Sequence, residues 1–285
     1  TCTTVSLLKL GAVLWHQGKH EEAEQVLREA RQIQLGYGVE KNNWLAAINQ
    51  RLAHVLKDTG RHEEAEKLVN EALAIKRDTL GDDHLDVAGL LCTLASIRER
   101  KGDRSTAEQL VRQAVEMARR LDDIGMKTGA HLHQLGALLY RQEKFPEAEA
   151  VLRESLQLQR SVLGDDHPAV AECSIALAKL AARQGRFQEG EELARDALRI
   201  YEARPDGAAW LRADAQSALG AALTGQGRFT EAETPMVDGF DVLRDQSIAP
   251  PWIKEDALLA LTALYEQWDA AEPGKGYAEK AAEWR

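Results

Sequence analysis

The sequence predicts an all-α fold, a right-handed superhelical solenoid of about seven antiparallel helix pairs running as a single array through residues 1–285. Three observations predict it. Ala, Leu, Glu, Gln and Arg dominate the chain while aromatics reach only 5%, which is a helical profile. No run of β-branched and aromatic residues alternates with polar ones for more than a few positions, so strands have no support. Most directly, "QGKHEEAEQVL" at 17–27 returns 42 residues later as "TGRHEEAEKLV" at 59–69. A period of that length marks stacked units that bury their apolar faces only against their neighbours.

Taken in order, the first pair turns at Gly18, the second at Gly60 and the third at Gly102. Residues 84–121 show the pattern of one unit. Val87, Leu90, Leu91, Leu94 and Ile97 recur at helical spacing, Gly102 ends that helix, and Ala107, Leu110, Val111, Ala114, Val115 and Ala118 form the stripe of a second helix. The fourth pair turns near Glu143, where "EKFPEAEAVL" stands in for "GRHEEAEKLV"; the fifth turns at Gly185 and the sixth at Gly227. A short seventh is expected to turn near Asp269, before "YAEKAAEWR". Five residues past each anchor stands Ala23, Ala65, Ala107, Ala148, Gly190 or Ala232, a slot where closely crossing helices leave room for no more than a methyl group.

The formal charge of −10 has the wrong sign for a phosphate-backbone binder, so nucleic acid is excluded as a partner. The longest apolar stretches, such as "LGALLY" at 135–140, fall far short of the roughly 20 residues a membrane helix needs, so no membrane insertion is expected. The chain opens "TCTTVSLL" with no visible targeting signal and its first helix starts at once, which reads as a piece of a longer protein. Cys2, Cys92 and Cys173 lack any paired spacing and read as reduced, buried thiols of an intracellular protein.

Catalytic signatures are missing: there is no GxGxxG, no GxxxxGK[ST] and no HExxH. His131 and His133 lie two apart on one helix and point away from each other, so no metal or other cofactor is expected. In "GDDH" at 81–84 and 164–167, the acids and the residue before Pro168 read as helix caps. Glu21-Glu22, Glu63-Glu64 and Glu191-Glu192 read as solvated first-turn acids of second helices.

These residues resemble the tetratricopeptide repeat family in its 42-residue form, that of kinesin light chains and many bacterial proteins. The family's features are the small-residue anchor, "AEA" or "AEx" in the second helix, and a connecting "LGxDHPxVA", which here reads "TLGDDHLDVA" at 79–88 and "VLGDDHPAVA" at 162–171. The closing "DALLALTALYEQW" and "YAEKAAEWR", separated by "DAAEPGKG" where the usual turn is shorter, look like the last repeat of such regions attached to bacterial serine/threonine protein kinases. The resemblance implies a concave groove lined by first helices and a protein- or peptide-binding scaffold, or the non-catalytic region of a signalling kinase. The missing catalytic motifs imply no enzyme activity within this chain, and the unpaired cysteines favour the cytoplasm, while the kinase likeness leaves an extracytoplasmic region of a membrane-anchored kinase as the alternative.

The Asn pairs that hold a peptide backbone in related repeats are absent here. The equivalent slots read Leu8-Lys9, Gln50-Arg51, Cys92-Thr93, His133-Gln134, Ile175-Ala176, Ser217-Ala218 and Leu259-Ala260. Two residues before successive anchors stand Arg100, Arg141 and Arg183, with Lys57 and Lys179 nearby in register, a basic stripe suited to an acidic peptide. Gln50, His54, His133 and Tyr140 complete the expected lining. Trp15 shares the slot of Tyr140 as a candidate aromatic anchor, and the other tryptophans are expected to pack. The rival readings are self-assembly through apolar end faces and a stand-alone adaptor.

Overall fold

The structure is a computed structural model that describes residues 2–37, 42–121, 125–204, 209–245, 249 and 251–285. The described residues form fourteen helices and no strand. They fall into two units, 1–143 and 144–285. The first unit holds α1 (Cys2–His16), α2 (His20–Gly36), α3 (Asn43–Asp58), α4 (His62–Leu80), α5 (Leu85–Arg100), α6 (Arg104–Leu121) and α7 (Met126–Arg141). The second holds α8 (Phe145–Leu163), α9 (Pro168–Arg183), α10 (Phe187–Glu202), α11 (Ala209–Gly225), α12 (Phe229–Asp245), α13 (Pro251–Ala271) and α14 (Tyr277–Glu283).

The anchors turn the chain as their spacing predicts. Gly18, Gly60, Gly102, Gly185 and Gly227 all have φ between 74° and 85°, and Glu143 takes φ 60° in the same place. One hydrogen bond recurs around them: the amide after the anchor donates to the carbonyl five residues before it. It joins Lys19 to Leu14, Arg61 to Leu56, Asp103 to Arg98, Arg186 to Ala181 and Arg228 to Leu223, at 2.8–3.0 Å. This is the six-to-one bond of a Schellman cap, which needs a left-handed residue at the anchor. The seventh anchor falls elsewhere. Asp269 lies inside α13, and the turn comes at Gly274 and Gly276, because "EPGKG" supplies the glycines and the proline only after residue 271.

Packing follows the small-residue slot. Ala23, Ala65, Ala107, Ala148 and Ala232 are fully buried, and a Cβ added to Gly190 would lie 3.2 Å from the Ala178 carbonyl oxygen. Around them the predicted stripe of residues 84–121 is buried, Leu110 only partly. In the first unit α1 touches α3, α3 touches α5 and α5 touches α7; in the second, α11 touches both α9 and α13. Among the described residues the backbones of second helices approach only first helices, and second helices reach one another through side-chain ion pairs such as Arg28 with Glu64. The closely packed side of a curved stack is its inner side, so first helices line the concave face within each unit.

Candidate functional site

In the first unit the expected lining residues stand on α3 (Gln50, His54, Lys57), α5 (Arg100) and α7 (His133, Tyr140, Arg141). The structure ties several of them down. Gln50 Nε2 donates to Thr93 Oγ1 at 3.1 Å, and Gln134 Nε2 donates to the Cys92 carbonyl at 2.8 Å, so these glutamines link neighbouring first helices. Trp15 stacks on His54 with centroids 5.4 Å apart and donates through Nε1 to Asp58 Oδ2 at 2.8 Å. Lys57 Nζ lies 3.4 Å from the other oxygen of Asp58. Burial, helped by the charges of Lys57 and Arg51, pushes His54 down to about 3, so its ring is neutral at pH 7. Arg141 grips Glu99 with two bonds of 2.5 and 2.9 Å, which neutralises this rung of the basic stripe from within. Arg100, His133 and Tyr140 are half-buried.

Cys92 and Cys173 are buried thiols, as expected; the side chain of Cys2 lies outside the described residues. Burial pushes both described thiols up to about 12, so neither is a nucleophile at neutral pH. His131 Nδ1 lies 3.2 Å from Cys92 Sγ.

In the second unit Arg183 is exposed at the end of α9. Lys179 turns out to have carboxylate company. Its Nζ lies 2.6 Å from Asp214 Oδ1 on α11 and 3.5 Å from Asp256 Oδ2 on α13, so one side chain spans three successive first helices. Asp214 and Asp256 stand 42 residues apart, and Glu172 on α9 stands 42 before Asp214. Burial raises Asp214 despite Lys179, and it raises Glu172, on which the charge of Asp214 acts in the same direction. This carboxylate row escaped the sequence reading, which compared the Asn-equivalent slots and the one before the anchors. The 42-residue spacing of the three acids was the available signal.

The opposite side of each unit is occupied by ion pairs. Five glutamates that follow the small slot meet a cation from the following pair: Glu24 with Arg61 at 2.6 Å, Glu66 with Lys101 at 3.0 Å, Glu149 with Arg186 at 2.7 Å, Glu191 with Arg228 at 2.7 Å and Glu233 with Lys280 at 2.7 Å. Glu24, Arg28, Arg61 and Glu64 close into a four-membered network, repeated by Glu149, Arg153, Arg186 and Glu189. Two expectations change accordingly. Glu64 is bonded by Arg28 and Arg61 instead of standing free in water, and Glu191, with a side chain 14% exposed, sits beyond the first turn of α10 as a link to Arg195 and Arg228. The histidines of the "GDDH" loops do the capping, His84 Nδ1 accepting from the Asp86 amide and His167 Nδ1 from the Ala169 amide. Their aspartates bond arginines instead, Asp83 with Arg120 and Asp166 with Arg199, both at 2.6 Å.

Among the described residues no group of three or more His, Cys, Asp or Glu has the geometry to hold a metal ion, and no helix is long and apolar enough to cross a membrane. The arrangement offers surfaces for recognition.

A search of curated proteins gives no match. Among solved structures, BtubC (BKLC) from P. vanneervenii is similar with TM-score 0.64 and 20% identity, covering 80% of this chain and 91% of that one. A Podosopora anserina kinesin light chain protein with nearly identical TPR-like repeats gives 0.55 and 23%, covering 69% and 93%. The Rap conjugation gene regulator of the plasmid pLS20, in complex with the Phr* peptide, gives 0.72 and 13%, covering 98% and 71%. At these identities the likeness is one of fold. Models of the tetratricopeptide repeat match residues 3–78, 44–120 and 127–203, and a further one matches 213–234. With most of its length matched repeat by repeat, the chain belongs to the tetratricopeptide repeat family.

Proposed function

We propose that the chain is a protein- or peptide-binding module, a scaffold or regulatory region, and that residues 1–285 act as one repeat array. The observation that carries this reading is the division of labour between the two sides of each unit. Second helices are engaged by interlocking ion pairs, whereas successive first helices touch and present a continuous row of side chains. The fold shared with a Rap regulator solved in complex with a peptide supports it. The kinase-like closing segment supports a finer version, in which this is the non-catalytic region of a bacterial serine/threonine kinase.

In the first unit the finer reading is an acidic partner, drawn by Arg100 and by Arg141 if a ligand carboxylate competes with Glu99. An array of unrelated peptides probed with the purified chain tests the general reading, which requires a reproducible set of binders. Reversing Arg100 and Arg141 to Glu should abolish acidic binders while leaving the helical circular dichroism unchanged; unaltered binding removes the acidic preference. The rival reading is self-association through α1, where Leu10 and Val13 are 47% and 51% exposed. Light scattering across concentration decides it, since a constant monomer mass eliminates that reading.

A further inference from the structure

The first-helix row of the second unit has the opposite polarity to the basic stripe expected from the sequence. Glu172, Asp214 and Asp256 occupy one slot on three consecutive first helices, and among the described residues one ammonium, that of Lys179, pairs with Asp214 and Asp256. His167 lends Glu172 some positive field, but it is engaged as the cap of α9 through Nδ1. Three carboxylates against one ammonium leave the row with uncompensated negative charge in a partly desolvated setting, where a further cation would be strongly favoured.

A second observation points the same way. The Tyr201 phenol of α10, only 5% exposed, lies in the field of the Glu172 and Asp214 carboxylates, yet its hydroxyl makes no hydrogen bond. A buried phenol without a partner is costly, and its oxygen accepts as well as donates, so an ammonium or guanidinium entering the row would donate to it. Small side chains predominate near the row in sequence, with Ala176, Ala218, Ala221, Ala260 and Ala263 on the same three helices.

We propose that the concave face of the second unit is a subsite for a basic residue of a bound peptide, a guanidinium or ammonium group held by Glu172, Asp214 and Asp256. This rests on the peptide-binding reading and assigns it a polarity. Charge complementarity selects the occupant, and the same row repels an acidic segment.

The test is fluorescence anisotropy with the whole chain and three labelled ten-residue peptides, identical except for a central Arg-Leu, Gln-Leu or Glu-Leu. The Arg peptide should bind best, and its affinity should fall steeply with added salt. Asp256→Asn, which leaves the Lys179 bond to Asp214 in place, and Glu172→Gln, which removes no hydrogen bond, should each weaken the Arg peptide by about tenfold and leave the Gln peptide unchanged. Equal loss for both peptides would mean a purely structural role and would overturn the proposal, as would equal affinity of the wild-type chain for all three. If the peptide array returns binders that lack Lys and Arg, the cationic subsite fails while peptide binding stands; if it returns none, both fail.

Discussion

Glu143 holds the left-handed position that five glycines hold elsewhere, and it is the single non-glycine residue with positive φ among those described. An L side chain there costs about 1 kcal/mol, so Glu143→Gly should raise stability by roughly that amount in thermal unfolding. The small slot gives the reverse case. Ala65 is fully buried where two helices cross, and Ala65→Leu should destabilise by about 1–3 kcal/mol through overpacking, measurable by urea titration. His54 contributes a pH dependence. Its folded value of about 3 lies below the ordinary 6.5, so the unfolded chain binds the proton more readily between those values. Stability is therefore full above pH 6.5 and declines as pH falls towards 3. In His54→Phe, which keeps the stacking partner for Trp15, that part of the decline should disappear. Such single-residue features were partly legible: the anchors and the small slot recur every 42 residues, whereas the burial of His54 depends on Trp15 from another helix.

At the scale of the helix pair, the sequence supplies the elements and hides their stitching. Apolar stripes and glycine turns are local signals, so fourteen helices came out in the expected order. The five glutamates after the small slot find their cations 35 to 47 residues further on, a distance at which only the folded stack brings them together. Asp269 shows the limit of pure periodicity, since a helix runs until its stop residues arrive. Glu149 is the sharpest test of the stitching. Burial alone would raise its carboxyl, but hydrogen bonds from Arg153 and Arg186 outweigh that and hold it below the usual range. Glu149→Gln should cost about 0.5–1 kcal/mol, seen as faster amide exchange in α8 and α10 and little change in α3 and α4.

Across the whole chain these bonds add into a common response to acid. Glu64, Glu149, Glu191 and Glu233 are each held below 4.5 by partners that outweigh their burial, so their contribution is complete above that pH and is lost as pH falls through their lower folded values. The unfolding midpoint should drop steeply below pH 4.5, more than for a variant with Glu64, Glu149 and Glu191 changed to Gln. The fold class was readable from period and composition alone, and the basic stripe was readable as a row of residues. That Arg141 is answered by Glu99, and that Lys179 serves two aspartates, depends on neighbours that one-dimensional spacing does not name.

The inner helices meet by direct packing while the outer ones are coupled through long, flexible, charged arms. Mechanically, each unit is therefore stiff along one edge and yielding along the other, like a hinge whose opposite rim is laced with elastic. Dissolved salt slackens the lacing without touching the hinge, so spin labels on α2 and α4 should drift apart as ionic strength rises while a pair on α3 and α5 keeps its spacing. Electrolyte concentration would then tune how widely the concave face of each unit opens.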